Sequence, residues 1–312
     1  LGLCLLFVGK LHAEESATID PALWTDQVSQ AQALEQSGDL KQSLALLKTF
    51  ADAGNGLAQF SYAWRTQKGS SSAEPAPALA CQYFAKSAHL NIPVGAQEAG
   101  HCYRDGVITA EEGQQKQMAE HFYQIAIENG MVASFCDIAA LKQTEASTHL
   151  NQLLAQCEQV AAQGAIYAQE MLVDIYSNPE GAYNNERAIY WLEVAADKSA
   201  KSAYRYALTL HQSGQIKPEL IRYYFETAAS KGYIAAYLET AALYFNASAE
   251  ETNDDNAGEL IAKAYLWSKA WQLRNPDIET PDWVVQIERQ VPLQWKADLD
   301  QKVEKHIKQY SD

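Results

Sequence analysis

Long alternations of valine, isoleucine and threonine are missing from this chain. That excludes a fold built mainly from half-buried strands, whose side chains would point in and out by turns. Positive charge is scarce: 24 lysines and arginines stand against 39 aspartates and glutamates, for a formal net charge of -15. No basic stripe with interleaved aromatics interrupts that acidity. The resulting field repels phosphate backbones and anionic membranes, so no nucleic-acid partner is expected. Solubility accounts for the acidity in the simplest way, and a basic partner is the sharper reading. No apolar run is long enough to span a bilayer. There is no Cys-x-x-Cys pair for zinc, no glycine-rich phosphate loop, no His-Glu-x-x-His and no nucleophile elbow. His101, Cys102 and Asp105 lie close in sequence, but helix neighbours one residue apart do not share a face. The expectation is therefore a chain with no catalytic residue, no metal and no cofactor.

Alanine, leucine, glutamine and glutamate dominate instead, with 9 prolines and 16 glycines falling mostly between periodic segments. This is the composition of an all-α chain. Leu1 to Val8 is a short apolar run, and Leu11-His12-Ala13 resembles a signal-peptidase site. Residues 1–13 read as the tail of a secretory signal, which predicts a periplasmic or secreted protein. A buried N-terminal helix is the alternative. Cys4 would leave with the signal, and Cys81, Cys102, Cys136 and Cys157 would remain. An even count in an exported chain permits two disulfides. Cys81 with Cys102 and Cys136 with Cys157 are possible pairs, and buried free thiols are the alternative.

A small-residue pair followed three places later by a helix-ending residue recurs along the chain. It runs from Phe50-Ala51 to Gly54, Ser87-Ala88 to Asn91, Ala126-Ile127 to Gly130, Val160-Ala161 to Gly164, Ala195-Ala196 to Ser199 and Ala228-Ala229 to Gly232. Glycine and asparagine suit the left-handed conformation that ends a helix. Four residues after each stop stands a small landmark: Ala58, Gly95, Ser134, Ala168, Ala203 or Ala236. Eight residues further come Thr66, Tyr103, Lys142, Tyr176, His211 and Tyr244. Small residues at fixed places let helices approach, and aromatics fill the gaps between layers. The second helix of each unit has its own stripe, as in Ala188, Trp191 and Ala195, or Ala119, Phe122 and Ala126. Neither helix of a pair buries its stripe alone, and stacking pairs buries them all.

Gly95 to Gly106, with the sequence GAQEAGHCYRDG, resembles the first helix of a Sel-1-like repeat, and Ala188-x-x-Trp191-x-x-x-Ala195-Ala196 resembles its second. The resemblance covers roughly Ser37 to Trp271. It implies a right-handed α/α superhelical solenoid of stacked antiparallel helix pairs. About six to seven pairs would span 20–271, and capping helices would follow over 272–312. Asp20 is a candidate N-cap with Pro21 in the first turn, and Asn246 to Gly258 reads as a polar, acidic loop. The unit around Ser134 departs from the pattern, with a short loop from Lys142 to Ser147 and Gln156 at the aromatic position.

The family resemblance implies an adaptor that binds a protein or peptide on its concave surface. Residues one place after each landmark are expected to point there: Gln59, Phe135, Gln169, Tyr204 and Tyr237 are the candidate partner-binding residues. Some cysteine-rich members of the family have been assigned penicillin binding or β-lactamase activity. They carry cysteine at the landmark and in the small pair, and here neither position holds one. A cell-wall enzyme or β-lactam binder, and a structural subunit of an envelope export or motility complex, stand as alternatives.

Overall fold

The computed structural model describes residues 21–69, 74–145, 147–214 and 218–310. The signal segment 1–13 and Asp20 lie outside these described residues. Among them there are sixteen helices and no strand. The fold is an all-α solenoid of consecutive helix pairs, and the chain divides into two compact units between Met131 and Val132.

Unit 1 holds three pairs: α1 (Pro21–Gln36) with α2 (Leu40–Asp52), α3 (Gly56–Lys68) with α4 (Pro77–Ala88), and α5 (Pro93–Arg104) with α6 (Gln115–Glu128). Each helix packs on the next, and α1 also touches α3. Tight turns join the pairs. Gly54 adopts φ +91° and Asn91 φ +62°, the left-handed region that releases the chain from a helix. Asn55 then caps α3, its side-chain oxygen accepting the Ala58 N–H at 2.9 Å. The landmarks Ala58 and Gly95 are buried. At Gly95 an added Cβ would lie 1.9 Å from the Ser87 hydroxyl, so the residue's smallness is what lets α5 seat on α4. Cys81 on α4 and Cys102 on α5 form a disulfide with Cα atoms 5.8 Å apart. It joins the second helix of one pair to the first helix of the next.

Unit 2 holds α7 (Ser134–Lys142) with α8 (Thr148–Ala162), α9 (Ile166–Ser177) with α10 (Asn185–Ala196), α11 (Ala200–Ser213) with α12 (Pro218–Ser230), and α13 (Ile234–Glu250) with α14 (Asp254–Arg274). Two further helices, α15 (Asp282–Gln290) and α16 (Leu293–Gln309), lie against α14. Gly164 and Gly232 take the left-handed turn, at φ +95° and +83°. Ser199 does not. It is extended at φ -108° and caps α11 through its hydroxyl, which accepts the Ser202 N–H. Cys136 and Cys157 form the second disulfide, with Cα atoms 4.9 Å apart, inside the pair of α7 and α8.

One expected loop is helix. Asn246 to Gly258 contracts to a break of three residues, because α13 runs through Glu250 and α14 begins at Asp254. Asn253 caps α14 by accepting the Asn256 N–H at 3.0 Å, and Asp254 and Asp255 occupy the first turn, where negative charge suits the helix dipole. The Glu251 carboxylate accepts the Thr252 and Asn253 N–H groups, and the Asn253 bond holds its pKa below the ordinary range. Composition alone reads as loop there; the caps decide otherwise.

Candidate partner-binding surface

The residue after a landmark does not face outward. Gln59 and Gln169 are buried, and each donates its side-chain Nε2–H to a backbone carbonyl eight residues earlier: Ala51 at 3.1 Å and Ala161 at 2.9 Å. Each amide thereby adds a side-chain donor to a carbonyl at the end of the preceding helix that already accepts the N–H of the stop glycine, Gly54 or Gly164. Tyr237 is fully buried as well. Its hydroxyl meets His306 Nε2 at 3.0 Å, and its ring stacks on Trp267 at 5.7 Å. Burial pushes the Tyr237 phenol up and the half-buried His306 imidazole down. Tyr204 is half-buried, edge-on to Phe225 at 5.6 Å and against Tyr233 at 5.1 Å. Phe135 is half-buried at the start of α7. The expected row of outward-facing residues is thus corrected for Gln59, Gln169 and Tyr237.

Helix geometry gives the reason. Successive residues turn about 100° around a helix. The landmark points straight at the preceding pair, so the next residue lies on the flank, still covered by it. The open side lies about half a turn from the landmark. In unit 2 those are the positions two before it, Ile166 and Ile234 (37% and 42% exposed) with Lys201 between, and six after it, as at Asp174. Along this side the first helices are cross-linked by polar bonds. Arg205 reaches Asp174 at 2.6 Å, Lys201 lies 3.7 Å from the same carboxylate, and Ser199 bonds Glu170.

The tyrosines eight places after the landmark also do more than fill space. Tyr176 donates to Glu158 at 2.6 Å, and Arg187 bonds both the hydroxyl (2.9 Å) and the carboxylate (2.6 Å). Two repeats later Tyr244 donates to Glu226 at 2.5 Å, with Lys263 on the hydroxyl at 3.1 Å and on the carboxylate at 3.2 Å. Each relay ties the second helix of one pair to both helices of the next. Burial first, and the carboxylate second, raise both phenols, Tyr176 to about 12. A phenol so raised stays protonated at neutral pH and acts as a brace, not as a base. The sequence carried a trace of this arrangement: a glutamate stands 18 residues before each tyrosine.

In unit 1 an open groove of about 360 Å³ is lined in part by Glu35, Ser43, Trp64, Arg65 and Lys68. Its polar groups are engaged. Arg65 Nε pairs with Glu35 at 3.2 Å, Ser43 donates to the Ala31 carbonyl at 2.7 Å, and Lys68 sits 4.5 Å over the Trp64 ring. Among the described residues, no group of three or more His, Cys, Asp or Glu side chains is placed to hold a metal. No described helix is long and apolar enough to cross a membrane.

Compared by sequence, the chain matches no protein-family model and no curated protein. Compared by fold, it is similar to a Sel1 repeat protein from Oxalobacter formigenes. The TM-score is 0.51 at 19% identity, over 68% of this chain and 91% of that one. The chain has the Sel-1-like repeat fold. The same fold relates it to a protective antigen present in uropathogenic Escherichia coli strains, described as displaying an SLR fold. There the TM-score is 0.51 at 17% identity over 91% of this chain. This chain spans 61% of the length of that antigen. In Sel-1-like terms, the landmark and the small pair form the contact between repeats, and the side half a turn away is the accessible one.

Proposed function

We propose that this Sel-1-like repeat chain is a scaffold that binds a protein or peptide partner along the accessible side of its helix pairs and performs no catalysis of its own. The observation that carries this reading is the recurrence of Ile166, Lys201 and Ile234 at one position of three successive first helices of unit 2. A surface made by repeating one helix face is long and shallow. It suits an extended macromolecular ligand better than a small molecule, which needs an enclosing pocket. The half-buried Phe135 and Tyr204 contribute their accessible edges. The two disulfides favour an oxidising compartment, periplasmic or extracellular.

Affinity capture with the intact chain tests the reading, run beside a Lys201→Glu, Ile234→Asp variant whose helicity is checked by circular dichroism. A stoichiometric protein held by the chain and released by the variant is the expected result. Equal capture by both chains, or hydrolysis of a chromogenic β-lactam by the unaltered chain, overturns it. Thiol alkylation without reductant should leave Cys81, Cys102, Cys136 and Cys157 unlabelled in protein taken from its native compartment.

A further inference from the structure

The two middle pairs of unit 2 share a motif that packing does not explain. Glu186-x-x-x-Tyr190-x-x-Glu193 on α10 recurs 33 residues later as Glu219-x-x-x-Tyr223-x-x-Glu226 on α12. Positions i, i+4 and i+7 share one helix face. On both helices the tyrosine of that face is turned to solvent: Tyr190 is 56% exposed and Tyr223 51%. Their rings are nonetheless held in place. Tyr190 lies edge-on to the buried Trp191 at 4.9 Å, Tyr223 edge-on to Tyr224 at 5.0 Å, and Tyr224 edge-on to the buried Tyr206 at 4.8 Å. The Tyr223 hydroxyl reaches Asp197 Oδ1 at 3.4 Å, which draws the faces of α10 and α12 together. Rigid, exposed aromatics give contact area at small entropic cost.

Charge selects the occupant. Glu186, Glu193 and Asp197 are exposed, and none is ion-paired among the described residues. On α12, Glu219 is 3.9 Å from Arg222, and Glu226 is turned into the relay with Tyr244 and Lys263. The Lys231 ammonium bonds the main-chain carbonyl of Asp197, so one cation stands beside that residue and none is paired with Glu186 or Glu193 among the described residues. The carboxylates of Glu186 and Glu193 thus flank Tyr190, that of Asp197 lies at Tyr223, and their field reaches the buried Tyr206 and the half-buried Tyr224. Tyr206 is pushed up to about 12 by burial and then by Glu193, and Tyr224 is raised by burial and then by Asp197. Phosphate, lipid headgroups and acidic peptides are repelled by such a face. A lysine or arginine side chain meets an aromatic face and a carboxylate together.

We infer that the α10–α12 face docks a basic segment of the partner protein, its lysines or arginines lying over Tyr190 and Tyr223 between the carboxylates of Glu186, Glu193 and Asp197. This rests on the scaffold reading for the existence of a protein partner and adds a contact on the second helices to the one proposed on the first.

The test uses the full chain and a fluorescein-labelled peptide of alternating arginine and glycine, followed by anisotropy at low and high salt. A second peptide carries glutamate for arginine. Saturable, salt-sensitive binding of the arginine peptide alone is expected. Tyr190→Ala with Tyr223→Ala should weaken it roughly tenfold or more, from two lost cation–π contacts. Tyr190→Phe with Tyr223→Phe should keep most of it, and Glu186→Gln with Glu193→Gln should lower both affinity and salt dependence. Absence of binding, or binding indifferent to loss of the rings, overturns the inference. The native partner separates the two readings: if capture survives Tyr190→Ala with Tyr223→Ala, the scaffold stands and this face is not its dock. If no protein is captured at all, the scaffold reading itself falls.

Discussion

In unit 1 the disulfide runs from α4 to α5, between pairs; in unit 2 it runs from α7 to α8, within a pair. Both close 21 residues of sequence, yet they fasten different kinds of contact. The α4–α5 contact has Gly95 at its landmark, so the helices meet closely but with no side chain from that position. The α7–α8 pair is short of contact: α7 has only 9 residues, and Gln156 stands exposed where α4, α6 and α10 place the buried Tyr83, Phe122 and Trp191. The second bond therefore falls in the helix pair with the least packing, whereas the first fastens a junction that already packs closely. The braces differ as well. The two acid–tyrosine–base relays and the exposed tyrosine pair all belong to unit 2.

Substitution at the aromatic position of the second helix gives the largest expected effect. Phe122 in unit 1 and Trp191 in unit 2 are each about 95% buried or more. Phe122→Ala and Trp191→Ala should each cost about 3–5 kcal/mol in urea unfolding, while Gln156→Ala should stay within about 0.5 kcal/mol. A large loss at Gln156 would show that α8 packs by a different rule. Removing the disulfides comes next. With loops of equal length, Cys81→Ala with Cys102→Ala and Cys136→Ala with Cys157→Ala should each cost about 3 kcal/mol. A markedly larger loss for the second pair would mean that the short α7 depends on its bond to stay folded. Below these come the buried amides. Gln59→Ala and Gln169→Ala should each cost about 1–3 kcal/mol, through the cavity and the lost side-chain bond, and should match one another, since the two bonds are equivalent.

The smallest effect is one of pH, and it falls on α16. His306 lies against Tyr237, Trp267 and Tyr310, with the Ala229 carbonyl on its ring and Arg274 nearby. Its folded pKa is lowered from 6.5, by burial first. The unfolded chain then binds the proton more readily, so the stability due to neutral His306 is complete above pH 6.5 and is lost as pH falls through the folded value. Thermal unfolding across that interval should show the loss in the parent chain and less of it in His306→Gln.

The pairing of helices was legible because its cues are local. Asn91 and the stop glycines take positive φ, and the small landmarks are buried against the preceding helix. The candidate surface was less legible. Gln59, Gln169 and Tyr237 were chosen by spacing from the landmark, but exposure depends on what a neighbouring helix covers about 100° away. The relays were hidden for a related reason. Tyr176 and Tyr244 read as packing aromatics, and only the fold brings Glu158 and Arg187, or Glu226 and Lys263, to their hydroxyls.

From the amino-acid order alone follow the helical class, the repeat and its turns, since periodicity and left-handed stops act over a few residues. Tertiary structure decided which side of each helix meets solvent, which cysteines come within bonding distance and which carboxylates keep no cation. Those outcomes depend on groups about one repeat away in sequence, brought together only when one helix pair settles on the next.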